Sequence, residues 1–277
     1  MTAVTQTTTL NPTRTLHMPR LSFITQLGIM VRRSLLVTLR NPAEILPGVI
    51  INVFFLLVYN STLGNASNFL PGLQGGRYIA FILPLSVISA ALSGSGLAGQ
   101  AIVRDIESGY FDKLMLTPMS RAAILLAPMI SGALFLVVQT GLVVALGFLL
   151  GLESATGIVG VLTLMGFSLL IGVAFAGLSV GIALRSGSAG ATQGASFLFF
   201  PLSFLTATFV PVDLLSGWIK TAATYNPITY VLEATRYVLL TGWDNEVILR
   251  GILACLLLGA ITYSFAFSGL RARLKRK

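Results

Sequence analysis

Six stretches of the chain contain no Asp, Glu, Lys or Arg: residues 45–76, 78–103, 122–152, 154–184, 186–212 and 251–270. Each provides the roughly 20 apolar residues a helix needs to cross the hydrocarbon of a bilayer. None has the alternation of a membrane barrel strand. Because backbone amides in lipid must be satisfied within their own segment, the pattern predicts six transmembrane helices, at about 44–63, 78–102, 122–151, 157–184, 189–211 and 248–269.

Two further stretches are apolar but too interrupted to span. In "LSFITQLGIMVRRSLLVTLR" (21–40), Gln26, Arg33 and Arg40 recur every seven residues with Arg32 beside them, while Ile24, Leu27, Val31 and Leu35 form an apolar stripe on another side. That is the pattern of an interfacial helix on the membrane surface. Pro42 disfavours helical geometry at Asn41 and is expected to bend the chain before the first span. Between Pro211 and Arg250 the longest uncharged run is Thr221 to Leu232. Leu214, Leu215, Trp218 and Ile219 suggest one short amphipathic helix, and Ile228, Val231, Leu232 and Tyr237 a second, with Asn226-Pro227 turning between them. A pair of this kind is expected to dip into the bilayer from outside as a re-entrant hairpin between spans five and six.

Small residues recur at four-residue spacing as Ala91, Ser95 and Gly99, as Gly177 and Gly181, and as Gly190 and Gly194. Such rows let helix backbones approach closely in lipid. Phe197, Phe200 and Phe204 also recur at helical spacing with Thr208 following, which would suit a lipophilic cargo path if the row faces one, and lipid or core if it does not.

Composition agrees with a body facing lipid: 55% of the 277 residues are hydrophobic and only 10% charged. The cations then set the orientation. With the N-terminus inside, Arg14, Arg20, Arg32, Arg33, Arg40, Arg104, Lys113, Arg121, Arg185, Arg271, Arg273, Lys275, Arg276 and Lys277 fall on the cytoplasmic side, against only Arg77, Lys220, Arg236 and Arg250 outside. Both termini are therefore expected in the cytoplasm. Residues 1–20, Thr-rich and without an apolar core, read as a disordered tail, and 271–277 as a basic one. The net charge of +9 is a topology signal and an attraction to anionic headgroups, not a nucleic-acid surface.

Catalytic hardware is missing. No Gly-x-x-x-x-Gly-Lys-Ser/Thr loop occurs for nucleotide binding. The single His17 lies in the tail without metal-ligand neighbours, and the single Cys255 has no internal disulfide partner. The carboxylate pairs Asp105/Glu107 and Asp244/Glu246 fall in loops. The six windows hold no ionisable acid or base of the kind that gradient-driven carriers keep in the membrane. Anything this chain transports is thus expected to move on energy delivered by another polypeptide at the cytoplasmic face, the alternative being an autonomous channel or ion-gradient-driven carrier.

The candidate contact is "RDIESGYFDKLMLTPMSR" (104–121), a charged island between spans two and three. Ile106, Tyr110 and Leu114 stand at i, i+4, i+8 beside Phe111 and Met115, with Asp105, Glu107, Ser108 and Asp112 flanking, so a short amphipathic helix ending before Pro118 is predicted. Its apolar stripe would pack on the protein itself or fill a groove on a soluble partner.

This segment resembles the inner-loop motif of ABC-2 type exporter permeases, through Asp105, Glu107, Gly109, Leu114, Leu116, Thr117, Pro118 and Arg121. The family's outer re-entrant segment resembles Pro211, Trp218, Asn226-Pro227, Tyr230 and Arg236. The likeness covers about residues 21–270 and is nearest to daunorubicin-resistance and nodulation-type permeases, with Tyr110 where Thr is frequent and Ser216-Gly217 where a proline often stands. It implies an all-α membrane permease domain over 21–270, not itself an enzyme, working as a pair with a second copy or a paralogue in a bacterial cell membrane. Two separate ATPase subunits would bind ATP and magnesium, this chain holding no cofactor. They would grip a coupling helix comprising Asp105, Ile106, Glu107, Gly109, Tyr110, Leu114, Thr117, Pro118 and Arg121. The path between the permeases, lined by the second and fifth helices, would export a drug, antibiotic, lipid or glycoconjugate.

Overall fold

The computed structural model describes residues 21–63, 77–197, 205–206 and 215–275. Ten helices form among these residues: α1 (Phe23–Leu39), α2 (Pro42–Leu63), α3 (Arg77–Glu107), α4 (Tyr110–Met115), α5 (Arg121–Leu149), α6 (Ile158–Ser186), α7 (Ala189–Phe197), α8 (Gly217–Tyr225), α9 (Pro227–Leu240) and α10 (Asn245–Lys275). Four segments are long and apolar enough to cross a membrane: Tyr78–Glu107, Arg121–Leu149, Ile158–Ser186 and Asn245–Arg273. In α2 the apolar stretch is shorter, Ile45–Ser61. The expected fifth span, 189–211, is described as a helix up to Phe197.

The break between α1 and α2 falls where Pro42 puts it. α1 stops at Leu39, Arg40 caps it, and the Asn41 side-chain amide donates to the Val37 carbonyl at 3.0 Å. Pro42 then opens α2, where its missing N–H leaves no acceptor unpaired.

α3 is the central helix, packed against α2, α5, α6, α7 and α9. Its side chains are buried almost throughout, whereas α5 and α10 keep one face of exposed Leu, Ile, Val and Phe for lipid. The interior divides in two. One cluster gathers Leu83, Ile88, Val143, Leu164, Phe167 and Val231; the other, toward the ends of α3 and α6 and the start of α5, gathers Met30, Ile102, Phe111, Leu114, Ile124, Val180 and Leu270.

α6 and α10 meet in a close seam. A Cβ added at Gly177 would lie 2.9 Å from Thr262 Oγ1 and 3.0 Å from the Thr262 carbonyl carbon, and Gly181 abuts Phe265 and the Ala266 backbone. Across the seam Thr262 Oγ1 donates to the Ala174 carbonyl at 2.6 Å. Gly99 likewise lets α3 meet Ser179 of α6 and Thr192 of α7. The third small-residue row differs: at Gly194 an added Cβ meets nothing within 4 Å among the described residues, and Gly190 meets only its neighbour Ser188.

α8 and α9 form the expected helix pair with Asn226 at the turn. Gly160 lies against Leu239, whereas Gly251 lies against both Phe167 and Ala234. α9 therefore runs antiparallel to α6. Ala155 N and Thr156 Oγ1 donate to the Leu239 and Val238 carbonyls at 2.8 and 2.9 Å, fixing that end of α9 to the α5–α6 loop. The Asn226 turn lies about 20 Å further into the bundle at 1.5 Å per helical residue.

Candidate functional site

The 104–121 segment is not one helix. At the end of α3, Ser108 N donates to the Arg104 carbonyl and Gly109 N to the Ile106 carbonyl, each at 3.0 Å. Gly109 then takes φ +68°, the left-handed conformation that a residue with a Cβ adopts only at a cost. The i, i+4, i+8 row is cut there: Ile106 belongs to α3, and Tyr110 begins α4. Hydrophobic spacing carries through a glycine break because it registers only which side chains are apolar.

Phe111 and Leu114 plug α4 into the protein, 2% and 4% exposed, among Met30, Ile124 and Leu270. Ile106, Tyr110 and Met115 pack around them, half-buried. The apolar stripe thus faces the protein's own helices. Outward stand Glu107, Ser108, Asp112, Lys113, Leu116, Thr117, Pro118 and Arg121. Leu116 is 88% exposed, on a turn closed by Thr117 Oγ1 donating to the Leu114 carbonyl at 2.6 Å. Leu116, Thr117 and Pro118 form a protruding knuckle.

α1 braces this knuckle. Arg33 Nη1 and Nη2 donate to the two carboxylate oxygens of Asp105 at 2.8 and 2.5 Å, and the guanidinium lies 3.9 Å from the centre of the Tyr110 ring. A bidentate, charge-assisted contact of this kind fixes orientation as well as distance. Hydrogen bonding to Asp105 raises the Arg33 pKa further, outweighing the opposite pull of partial burial, so the guanidinium keeps its charge. Nearby, Gln26 Oε1 accepts from Ser120 N at 2.7 Å at the start of α5. α1 buries Gln26, Met30, Ser34 and Thr38. The sequence stripe Ile24, Leu27, Val31 and Leu35 instead lies beside that face, with Ile24 80% exposed. Short polar side chains let α1 sit close on α5, where Ser131 Oγ donates to the Val31 carbonyl at 3.2 Å.

Arg33 is the residue that sequence reasoning passed over as a site member. It stood in the basic row of α1, but no spacing rule joins it to a carboxylate 72 positions later.

A second constellation sits at the other end of α3. Asn226 caps α9 by accepting from Ile228 N at 3.0 Å and donates from Nδ2 to the Leu205 carbonyl at 3.1 Å; Pro227 follows as the first helical residue. Tyr230 Oη donates to the Thr224 carbonyl at 2.8 Å, tying α9 to α8. Arg236 is buried, with Nε donating to the Phe81 carbonyl at 3.0 Å and its guanidinium 3.9 Å from the centre of the Phe81 ring. Phe81 lies one turn before Pro84, whose missing N–H disturbs the hydrogen-bond ladder of α3. The carbonyl that loses its helical donor there is that of Ala80, and Arg236 donates to the next one, Phe81. Arg236→Met, which keeps the length but loses the donor, is expected to lower the thermal midpoint in detergent, by an effect of about 1.5–3 kcal/mol for a hydrogen bond to a charged group. An unchanged midpoint would show that Phe81 needs no such donor.

Trp218 is 71% exposed on α8. Phe197 ends α7, while Phe200, Phe204, Thr208 and Pro211 lie outside the described residues. The two constellations do not meet: Phe81 and Asp105 are 24 residues apart on α3, about 36 Å.

Residues 25–240, from α1 through the knuckle to the end of α9, match the model of a known family described as ABC-2 type transporter. The chain belongs to the ABC-2 type transporter family. The permease is similar to the probable doxorubicin resistance ABC transporter permease protein DrrC of Mycobacterium tuberculosis, 24% identical across 77% of this chain and 76% of that one. It is also similar to the daunorubicin resistance ABC transporter permease protein DrrB1 of Streptomyces coeruleorubidus, 25% identical across 85% and 80%. A plastid-type relative, the putative transport permease ycf38 of Cyanophora paradoxa, is 22% identical across 78% and 74%. With its long apolar helices, this ABC-2 permease is a membrane protein.

Proposed function

We propose that this permease is the membrane subunit of an ABC exporter for a lipophilic or amphiphilic cargo: a drug, antibiotic, lipid or glycoconjugate. Six spans place both termini in the cytoplasm of a bacterial cell. Two separate ATPase subunits bind ATP and magnesium, and the permease works paired with a second copy or a close relative. The drug-resistance names of its relatives support the cargo class and the outward direction.

The observation that carries this reading is the mounting of the knuckle. Leu116, Thr117 and Pro118 protrude, yet they follow a helix, α4, that is plugged into the inner core by Phe111 and Leu114 and whose Tyr110 ring lies against Arg33 of α1, which also holds Asp105 at the end of α3. A firm mount is what a rigid-body push requires, since a loosely tethered loop would absorb the movement. Closure of the ATPases on ATP presses the knuckle, and α3 carries the displacement toward the Arg236–Phe81 contact and the re-entrant pair.

Leu116→Asp tests this by removing the apolar contact without touching the core. Export is expected to fall at least about tenfold, the loss of about 1.4 kcal/mol of coupling contact, with normal membrane abundance and with ATP hydrolysis continuing. Full export by the variant, or export by the purified chain in nucleotide-free liposomes, would contradict the proposal; the latter would favour a channel or gradient-driven carrier.

A further inference from the structure

α1 turns Gln26, Met30, Ser34 and Thr38 toward the protein and leaves its opposite face open. Turning about 100° per residue, Leu39, Arg32, Leu36, Ile29 and Arg40 succeed one another within a single arc of about 100°. All five are exposed. Three large apolar residues in one arc need a cover other than water. The two arginines are interleaved with these apolar residues, whereas α10 carries its exposed cations Arg250, Arg271 and Lys275 near its two ends.

The charges narrow the choice of cover. Arg33 is matched by Asp105, but no ion pair forms at Arg32 or Arg40 among the described residues. Arg32 lies between Leu39 and Leu36, not at the margin of the arc. A purely apolar cover would strip water from its guanidinium without supplying a counter-ion. A sheet of anionic phospholipid supplies both parts, acyl carbon for the leucines and phosphate for the arginines. Continuity favours lipid over a protein partner: only Arg40 and Asn41 separate α1 from α2, whose exposed Leu46, Ile50 and Phe54 continue the apolar surface.

We propose that the outward face of α1 is a binding surface for anionic phospholipid of the cytoplasmic leaflet, with Arg32 and Arg40 taking the phosphates between Leu36, Ile29 and Leu39. This rests on the cytoplasmic placement of α1 proposed above. Because Arg33 and Gln26, on the flank of α1 that adjoins Arg40, hold Asp105 and Ser120, lipid seated on α1 also sets the position of the knuckle. The coupling element is thereby made responsive to membrane composition.

The full chain carrying Cys255→Ala and Leu36→Cys, labelled at residue 36 with an environment-sensitive fluorophore, is reconstituted in phosphatidylcholine with or without phosphatidylglycerol. Emission is expected to shift to the blue when phosphatidylglycerol is present, to return in high salt, and to ignore phosphatidylglycerol in the Arg32→Gln/Arg40→Gln variant. The thermal midpoint of that variant in phosphatidylcholine alone should equal the parent's. Identical spectra in the two lipids, or a shift that appears only on adding a soluble protein, would overturn the lipid assignment. An early melt of the variant without anionic lipid would overturn it too, by showing that the arginines serve the fold. Labelling of the Leu36→Cys thiol by a membrane-impermeant reagent from outside intact cells would instead remove the cytoplasmic placement, which separates the two failures.

Discussion

Replacing Asp105 by arginine is expected to abolish export while leaving the protein in the membrane, and exchanging the two charges, Arg33→Asp with Asp105→Arg, to restore a substantial part of it. Asp105 is 13% exposed and Arg33 30%, so solvent screens their contact only partly. At 4 Å and an effective dielectric of about 20, a pair of unit charges interacts by about 4 kcal/mol; reversing one sign turns that attraction into repulsion of similar size, reduced where water reaches the pair. Two guanidinium groups then compete beside the Tyr110 ring. α1 swings away, and the knuckle loses its brace on one side while Phe111 and Leu114 still hold it on the other. Cargo efflux, read against membrane abundance of each variant, distinguishes the single reversal from the exchange. Normal efflux in the Asp105→Arg variant would show that the brace has no part in transport.

Gly177→Leu is expected to prevent the bundle from assembling. The added side chain points at the Thr262 backbone, which cannot rotate aside as a side-chain tip can, and the helices must separate to admit it. Separation breaks the Thr262–Ala174 hydrogen bond and opens the neighbouring contacts of Gly181 and Gly269 along the same seam. Overpacking alone costs up to about 3 kcal/mol, and loss of the buried hydrogen bond adds about 1 kcal/mol. The variant is expected to be degraded or to aggregate on solubilisation, seen as loss of the monodisperse peak in detergent gel filtration. Gly194→Leu, placed where the described residues leave open space, is the control and should solubilise normally. Equal behaviour of the two would remove the close seam as an account of how α6 and α10 associate.

The gross plan was legible because lipid imposes a coarse rule. A run without charges and about 20 residues long has few alternatives to a helix, and α3, α5 and α6 emerge close to the bounds of their uncharged windows, while α10 overruns its window by about five residues at each end. Asn226-Pro227 was readable as a turn for a local reason: Asn caps the following helix and Pro suits its first position. What spacing did not convey is which face turns inward. In α1 the apolar stripe was expected to lie on the membrane surface; the face turned to the protein is Gln26, Met30, Ser34 and Thr38, with Leu27, Val31 and Leu35 half-buried beside it and Ile24 exposed. In the knuckle a single amphipathic helix was expected, and Gly109 breaks the helix that Ile106, Tyr110 and Leu114 seemed to share. The Arg33–Asp105 and Arg236–Phe81 contacts are tertiary, between residues 72 and 155 positions apart, and no local pattern encodes them.

These contacts hold α3 near both of its ends. Near one end it carries Phe81, held by Arg236 of α9, and near the other Asp105, held by Arg33 of α1. Between them it is buried on nearly every side, so an axial or tilting displacement cannot be taken up by lipid and must move its neighbours.

The most direct test is a cross-link from the knuckle itself. With Cys255→Ala and Leu116→Cys, a short thiol-reactive photocross-linker at residue 116 in native membranes is predicted to join the permease to a polypeptide bearing a nucleotide-binding phosphate loop, in an ATP-sensitive yield, while an impermeant reagent fails to reach the introduced thiol from outside intact cells. Labelling of that thiol from the exterior, or efflux at full rate from vesicles that contain no ATPase, would contradict it.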